Sequence, residues 1–315
     1  MSGGGAAGSS AGSGGSGGNS AGGSSGAAAG GSICTKTTGC TSDKPVCDTA
    51  ANNGEGQCNS FKVLAFYTVY DQMPDLAHRS YSKEANGWFP SVAAANGFSY
   101  ESTTDWSRLS TISPSDYQLI MFFDNRPTET AQQDGFKAYV EKGGAYIGFH
   151  VSAYNDTEDR WAWFSDTFLA TGLFVGNTWH PTPANLKIED GTHPVTQGIG
   201  DILKTSANEW YSWEKDLRQN PDVKILLSVD PSSFPLGNGP KPTEIWHSGY
   251  YPVVWSNTKY KMLYVNMGHN DMDYDGGTNA QLSWTFRTKL QDQMLLQGIH
   301  WLVGAQGPVN VVKID

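Results

Sequence analysis

The sequence predicts an α/β fold, a parallel sheet with helices on both faces, and two observations carry that reading. From Phe61 onward, short apolar runs alternate with helix-compatible stretches, the pattern of a βαβ series. Two of the runs, Tyr117–Phe123 and Ala145–Phe149, are apolar almost throughout, as strands covered on both faces are.

The elements follow in order. Phe61–Tyr67 reads as a strand, and after a polar loop His78–Asn96 is compatible with a helix that Gly97 ends. Phe98–Glu101 is a short strand, Tyr117–Phe123 a buried one, Thr128–Lys142 a helix and Ala145–Phe149 a second buried strand. Later strands are expected at Ala184–Ile188, Val223–Val229, Pro252–Trp255 and Lys261–Val265, with a closing helix from about Arg287 to Val303. No repeat at solenoid periods is present.

Composition divides the 315-residue chain further. Residues 1–32 are almost wholly Gly, Ser and Ala, which bury too little apolar surface to offset the entropy of ordering, so a disordered tether is expected there. Residues 33–60 carry Cys34, Cys40, Cys47 and Cys58 at C-x5-C-x6-C-x10-C spacing, without the close pairs that zinc ribbons use. A segment that short lacks a core of its own, so two disulfides are expected, in one of three connectivities. Residues 61–305 form the α/β domain and 306–315 a tail. The tether and cysteine segment resemble the surface stalks of secreted bacterial proteins, and an extracellular or cell-surface location is expected, although no signal peptide is visible in the sequence itself.

Charge excludes some partners. The net charge is 21 − 31 = −10, without the basic footprint that nucleic acid requires. No window approaches the apolar length of a membrane span.

In open parallel sheets ligands sit beyond the carboxyl ends of the strands. There the sequence places Tyr70–His78, Asp124–Arg126, His150–Tyr154 and Gly268–Asp275, which brings His78, His150 and His269 to one edge. Gly143-Gly-Ala-Tyr-Ile-Gly-Phe-His150 has the strand-then-turn form of a nucleophile elbow with histidine at its tip. Ser152 follows, but no G-x-S-x-G surrounds it. No cysteine occurs after Ser60, so thiol catalysis of the glutamine amidotransferase kind is excluded for this domain.

From Phe61 to Gly304 the chain resembles the ThuA-like, or trehalose-utilisation, domain family of the class I glutamine amidotransferase-like superfamily. The resemblance rests on Ala77-His78-Arg79-Ser80, the His150 turn, Trp179-His180-Pro181, Asp190-Gly-Thr-His193-Pro194, Asn208-Glu209-Trp210-Tyr211, Pro252-Val-Val-Trp255, Gly268-His269-Asn270 and Gly298-Ile-His-Trp301. It departs at Asn208 and Tyr251, where the family often has Asp and His. The resemblance implies a flavodoxin-like three-layer α/β/α fold with a mostly parallel sheet, an association with sugar metabolism, and replacement of the amidotransferase cysteine by histidine.

The expected function is action on a carbohydrate by histidine acid/base chemistry, with His150 and His269 as the acid/base groups, Glu209 orienting or polarising the substrate and His78 completing the pocket. Asp124, Trp179, His180, Trp210, Tyr211 and Asn270 are expected to bind the substrate, with indoles stacking on sugar rings. Trp255 and Trp301 are expected in the core. Two alternatives stay open, a non-catalytic glycan-binding module and a metal-dependent hydrolase in which the same imidazoles and carboxylate hold a zinc-like divalent ion. Asp271, Asp273 and Asp275 look like a calcium loop, but Leu282 stands where the bidentate Glu belongs, so a solvated loop is expected.

Overall fold

The computed structural model describes residues 61–72, 75–157, 161–178, 180–233, 249–272, 281–305 and 307–311. The expected tether, the four cysteines, Trp179, Asp273 and Asp275 lie outside the described residues.

The strand series begins with β1 (Phe61–Phe66), followed by helix α1 (Leu76–Ala93), β2 (Phe98–Thr103) and β3 (Leu119–Phe123). Helix α2 (Thr130–Glu141) then leads into β4 (Ala145–Phe149). Seven more strands follow: β5 (Phe174–Asn177), β6 (Thr182–Ile188), β7 (Ile202–Asn208), β8 (Tyr211–Trp213), β9 (Val223–Val229), β10 (Pro252–Asn257) and β11 (Met262–Val265). Helix α3 (Lys289–Val303) closes the series.

Among the described residues, nine strands form one sheet in the order β2-β1-β3-β4-β11-β10-β9-β6-β7. The first five of that order pair in parallel, the 2-1-3-4-5 arrangement of flavodoxin-like sheets. From β11 outward the pairs β11–β10, β10–β9, β9–β6 and β6–β7 are antiparallel. Strands β5 and β8 make a separate antiparallel ribbon. The fold is therefore mixed α/β, and the site is built on its parallel half.

The uninterrupted apolar runs are explained by the two layers. On β3, Leu119, Met121 and Phe123 join the core under α1 and α3, while Ile120 and Phe122 join the core under α2 and the π-helical turn Trp163–Phe168. Every residue of β3 and β4 is buried, so neither strand shows the period-2 alternation of a half-exposed one. Trp255 is fully buried as expected, whereas Trp301 is only partly buried and its ring meets His193 edge-on at 4.7 Å. No described helix is long and apolar enough to cross a membrane.

Strands β5, β7 and β8 are not legible in the sequence. Ile202-Leu-Lys-Thr-Ser-Ala-Asn208 is mostly polar because β7 is the edge strand, with Ile202 exposed. The other two are four and three residues long, too short for a periodic signal.

Candidate functional site

The carboxyl ends of the parallel strands deliver the site. Helix α1 is capped by Asp75, whose side chain accepts from the backbone N–H of Ala77 at 2.7 Å and of His78 at 3.4 Å. That cap fixes His78 in the first helical turn beyond β1. Asp124, His150 and His269 follow β3, β4 and β11, each at positive φ, 46°, 40° and 54°. Among the described residues only one other non-glycine, Ala170, has positive φ, so this uncommon conformation is concentrated at the site. It turns the chain sharply off each strand and presents the side chain at the sheet edge. Gly268 is needed for the approach, because a Cβ there would lie 3.0 Å from the His150 Cβ.

Glu209 arrives from the connection between β7 and β8. That connection is tied to the β11 loop by Asn208, whose Oδ1 accepts the Gly268 N–H at 2.9 Å, and Asn177 donates to Glu209 Oε1.

Together these side chains form an alternating circuit of imidazoles and carboxylates. His78 Nδ1 lies 2.9 Å from Asp124 Oδ2, and Asp124 Oδ1 is 3.6 Å from His150 Nδ1. His150 Nε2 is 3.3 Å from Glu209 Oε2, which is 3.2 Å from His269 Nδ1. The His269 and His78 rings close the circuit edge-on at 4.7 Å. The Tyr211 ring packs on His150 at 4.5 Å.

Only the His78–Asp124 contact is a formed hydrogen bond. Asp124 Oδ1 and both ring nitrogens of His150 and of His269 are buried without a hydrogen-bond partner. His150, Asp124, His269 and Glu209 are all buried, and His78 is the most open member, its side chain 17% exposed.

Electrostatics follow from this packing. Burial opposes charge on His150, but the flanking carboxylates of Asp124 and Glu209 overcome it and raise its pKa above the ordinary histidine value. Burial likewise works against ionised Asp124, yet His78 and His150 bring it down to about 2. Glu209 is held well below the usual carboxylate range by His150 and His269 against its own burial. Burial and the neighbouring Glu209 carboxylate push the Tyr211 phenol well above its usual range.

Three overlapping groups offer ligand atoms within 4.8 Å of one another: Asp75 with His78 and His269, His78 with Asp124 and His150, and His150 with Glu209 and His269. Nitrogen and carboxylate donors in such triads fit a zinc-like divalent ion, and the orphaned ring nitrogens of His150 and His269 are consistent with that use. Asp75 escapes sequence reasoning, because a capping aspartate has the same signature as any other helix start.

The sequence therefore identifies His78, His150, Glu209 and His269, and the structure brings them together. Other expectations place differently. Trp210 does not line the pocket: it is 1% exposed in the core, and its indole N–H donates to the Thr182 carbonyl at 2.8 Å. Asn270 is a clamp, accepting from Ser283 Oγ, the Trp284 N–H and Thr285 Oγ1 while its amide donates to the Ala207 carbonyl at 2.7 Å. Both ends of its amide are used within the protein. His180 is exposed just before β6 and belongs to none of the three groups. Asp124 and Tyr211 are at the site, where Asp124 holds two imidazoles and Tyr211 packs on one.

Comparison with known proteins agrees with this construction. A family profile described as ThuA, trehalose utilisation, matches residues 67–302. A ThuA-like protein of Bacteroides uniformis is 34% identical with a TM-score of 0.63, over 77% of this chain and 91% of that one. A ThuA-like protein of Parabacteroides merdae has a TM-score of 0.50 at 17% identity, over 79% and 91% of the two chains. No curated protein matches. With three quarters of its length matched by the family profile and residues 61 onward carrying the site, the chain belongs to the ThuA trehalose-utilisation family.

Proposed function

We propose that the protein acts on a carbohydrate by acid/base chemistry at the His–carboxylate circuit. The observation that carries this reading is the placement of a buried His150 imidazole between two carboxylates, Asp124 and Glu209. The family description, trehalose utilisation, supports a carbohydrate as the substrate class.

The roles follow from the contacts. Asp124 accepts from His78 Nδ1, which leaves Nε2 as the ring nitrogen able to act as base, and His78 is the member most open to solvent. His150, its pKa raised by two carboxylates against its burial, is the ring favoured to carry a proton and serves as the acid. Glu209 stays ionised and holds both His150 and His269 by the same oxygen. Export to the cell surface is part of the proposal and rests on the composition of residues 1–60.

The test is turnover of trehalose and of a disaccharide panel by the full chain and by His78→Ala and His150→Ala. Loss of turnover in both variants supports the reading. Binding without turnover in the unsubstituted protein sinks it in favour of a glycan-binding module.

A second reading is favoured by the orphaned ring nitrogens of His150 and His269, namely that these residues and Glu209 hold a divalent ion. Metal analysis of purified protein separates the two. One ion per chain, lost in His269→Ala, supports coordination; metal-free protein with full activity supports proton transfer alone.

A further inference from the structure

Two strands that feed the circuit each deliver a second polar residue two positions beyond the first. After Asp124 comes Arg126, and after His150 comes Ser152. Arg126 is partly buried, and among the described residues its guanidinium has no hydrogen bond or ion pair. Burial lowers its pKa, against weak help from Tyr146, Asp156 and Tyr154 nearby. Of these three, the one carboxylate, Asp156, is occupied by the Tyr154 hydroxyl at 2.7 Å.

Two further polar atoms belong to the same corner. The Tyr146 hydroxyl and Ser152 Oγ are buried, and among the described residues they have no hydrogen-bond partner beyond each other. They meet over Gly148, where a Cβ would lie 2.1 Å from the Tyr146 oxygen and 2.8 Å from the Ser152 oxygen. The bare backbone of Gly148 is what leaves room for both.

A guanidinium largely withdrawn from water with no hydrogen-bonded partner is costly, and the two hydroxyls nearby have only each other to bond. All three groups can donate, and a planar guanidinium matches the geometry of a carboxylate or phosphate. This corner adjoins the circuit. Tyr154 feels both Arg126 and Glu209, and its ring lies 6.4 Å from that of Tyr211, which packs on His150.

We propose that Arg126, with the hydroxyls of Tyr146 and Ser152, is an oxyanion-binding subsite that holds an anionic substituent of the substrate beside the His–carboxylate circuit. Within the carbohydrates of the proposed function, the substrate is thereby one that carries a carboxylate or a phosphate beside its sugar ring. The inference rests on the proposed function for where the reacting part of the sugar sits, but anion binding itself is measurable without turnover.

The experiment is calorimetric titration of the full chain with glucuronate, glucose 6-phosphate, glucose and inorganic phosphate at neutral pH. An acidic sugar should bind about tenfold or more tightly than glucose. Preference for glucuronate assigns a carboxylate, and preference for glucose 6-phosphate, with phosphate alone competing, assigns a phosphate. Arg126→Gln should abolish the preference while leaving glucose affinity unchanged, Arg126→Lys should retain part of it, and Ser152→Ala should weaken it by a few-fold. His150→Ala should lose turnover and keep the preference, so failure of the acid/base reading is distinguishable from failure of the subsite. Equal affinity for acidic and neutral sugars, or a preference that survives Arg126→Gln, overturns the proposal. Should Arg126→Gln fold poorly, the Lys variant and the salt dependence of unsubstituted protein decide the same question, since binding through a charge pair must weaken with ionic strength.

Discussion

His78 and Asp124 make the one formed hydrogen bond of the circuit, Nδ1 to Oδ2 at 2.9 Å, across two strand ends that only the parallel pairing of β1 with β3 brings together. Because the carboxylate can only accept, it fixes the His78 proton on Nδ1. Asp124→Asn can offer an amide N–H to that ring instead and so favours the other tautomer. Turnover should fall by about two to four orders of magnitude, with the thermal midpoint shifting far less. Activity within tenfold of the unsubstituted protein would remove His78 from the role of base.

The same carboxylate gives the fold an acid limit. Its folded pKa, about 2, lies below its unfolded value, so its contribution is complete above the ordinary carboxylate pKa of about 3.9 and is lost as pH falls toward 2. His150 works in the opposite sense. Its folded pKa is raised, so its contribution is complete below about 6.5 and is lost as pH rises through the folded value. The midpoint should therefore fall at both extremes, and Asp124→Asn should flatten the acid limb between about pH 4 and 2. An unchanged acid limb in that variant would show that Asp124 gains nothing from its imidazoles.

Gly268 permits the approach of β11 to His150. A Cβ at that position meets the His150 Cβ at 3.0 Å and Cγ at 3.2 Å, and neither atom can move without displacing a buried ring. Gly268→Ala should cost about 1–3 kcal/mol and reduce turnover together with stability. A stable, fully active alanine variant would mean that the His150 position is not critical.

Most of the circuit is legible in the sequence because Asp124, His150 and His269 follow apolar runs, whose ends are where a parallel sheet exposes side chains, while His78 lies in the first turn of the helix after β1. His150 and His269 need nothing more than that rule. Asp75 is hidden because its capping role already accounts for an aspartate at a helix start. Trp210 departs from expectation for a different reason. Glu209, Trp210 and Tyr211 are consecutive in extended chain, so neighbours point to opposite sides. Glu209 and Tyr211 face the circuit, and Trp210 is turned into the core, a distinction that residue chemistry alone does not carry. Asn270 departs for a related reason: it adjoins His269 in sequence, but its amide is committed to the segment Ser283–Thr285. Strand β7 stays invisible because an edge strand with one covered face needs few apolar residues.

Asn270 gives a prediction that separates clamp from ligand. Its side chain satisfies three donors and itself donates to the Ala207 carbonyl. Asn270→Ala leaves buried partners unpaired and should cost on the order of 2–4 kcal/mol. A variant with an unchanged midpoint and weakened sugar binding would restore the substrate-binding role.

The alternation at Glu209–Tyr211 gives the last test. Trp210→Phe keeps most of the packing but removes the N–H that the Thr182 carbonyl accepts at 2.8 Å. It should lower stability by about 1–2 kcal/mol, a few degrees in midpoint, with sugar affinity within about twofold of the unsubstituted protein. Tyr211→Leu removes the ring that packs on His150 at 4.5 Å and should reduce turnover far more than it alters the midpoint. Thermal melts and sugar titrations on the pair read both effects. If Trp210→Phe weakens binding while leaving the midpoint unchanged, the indole does face the substrate, and the inward orientation that its hydrogen bond to Thr182 implies is wrong.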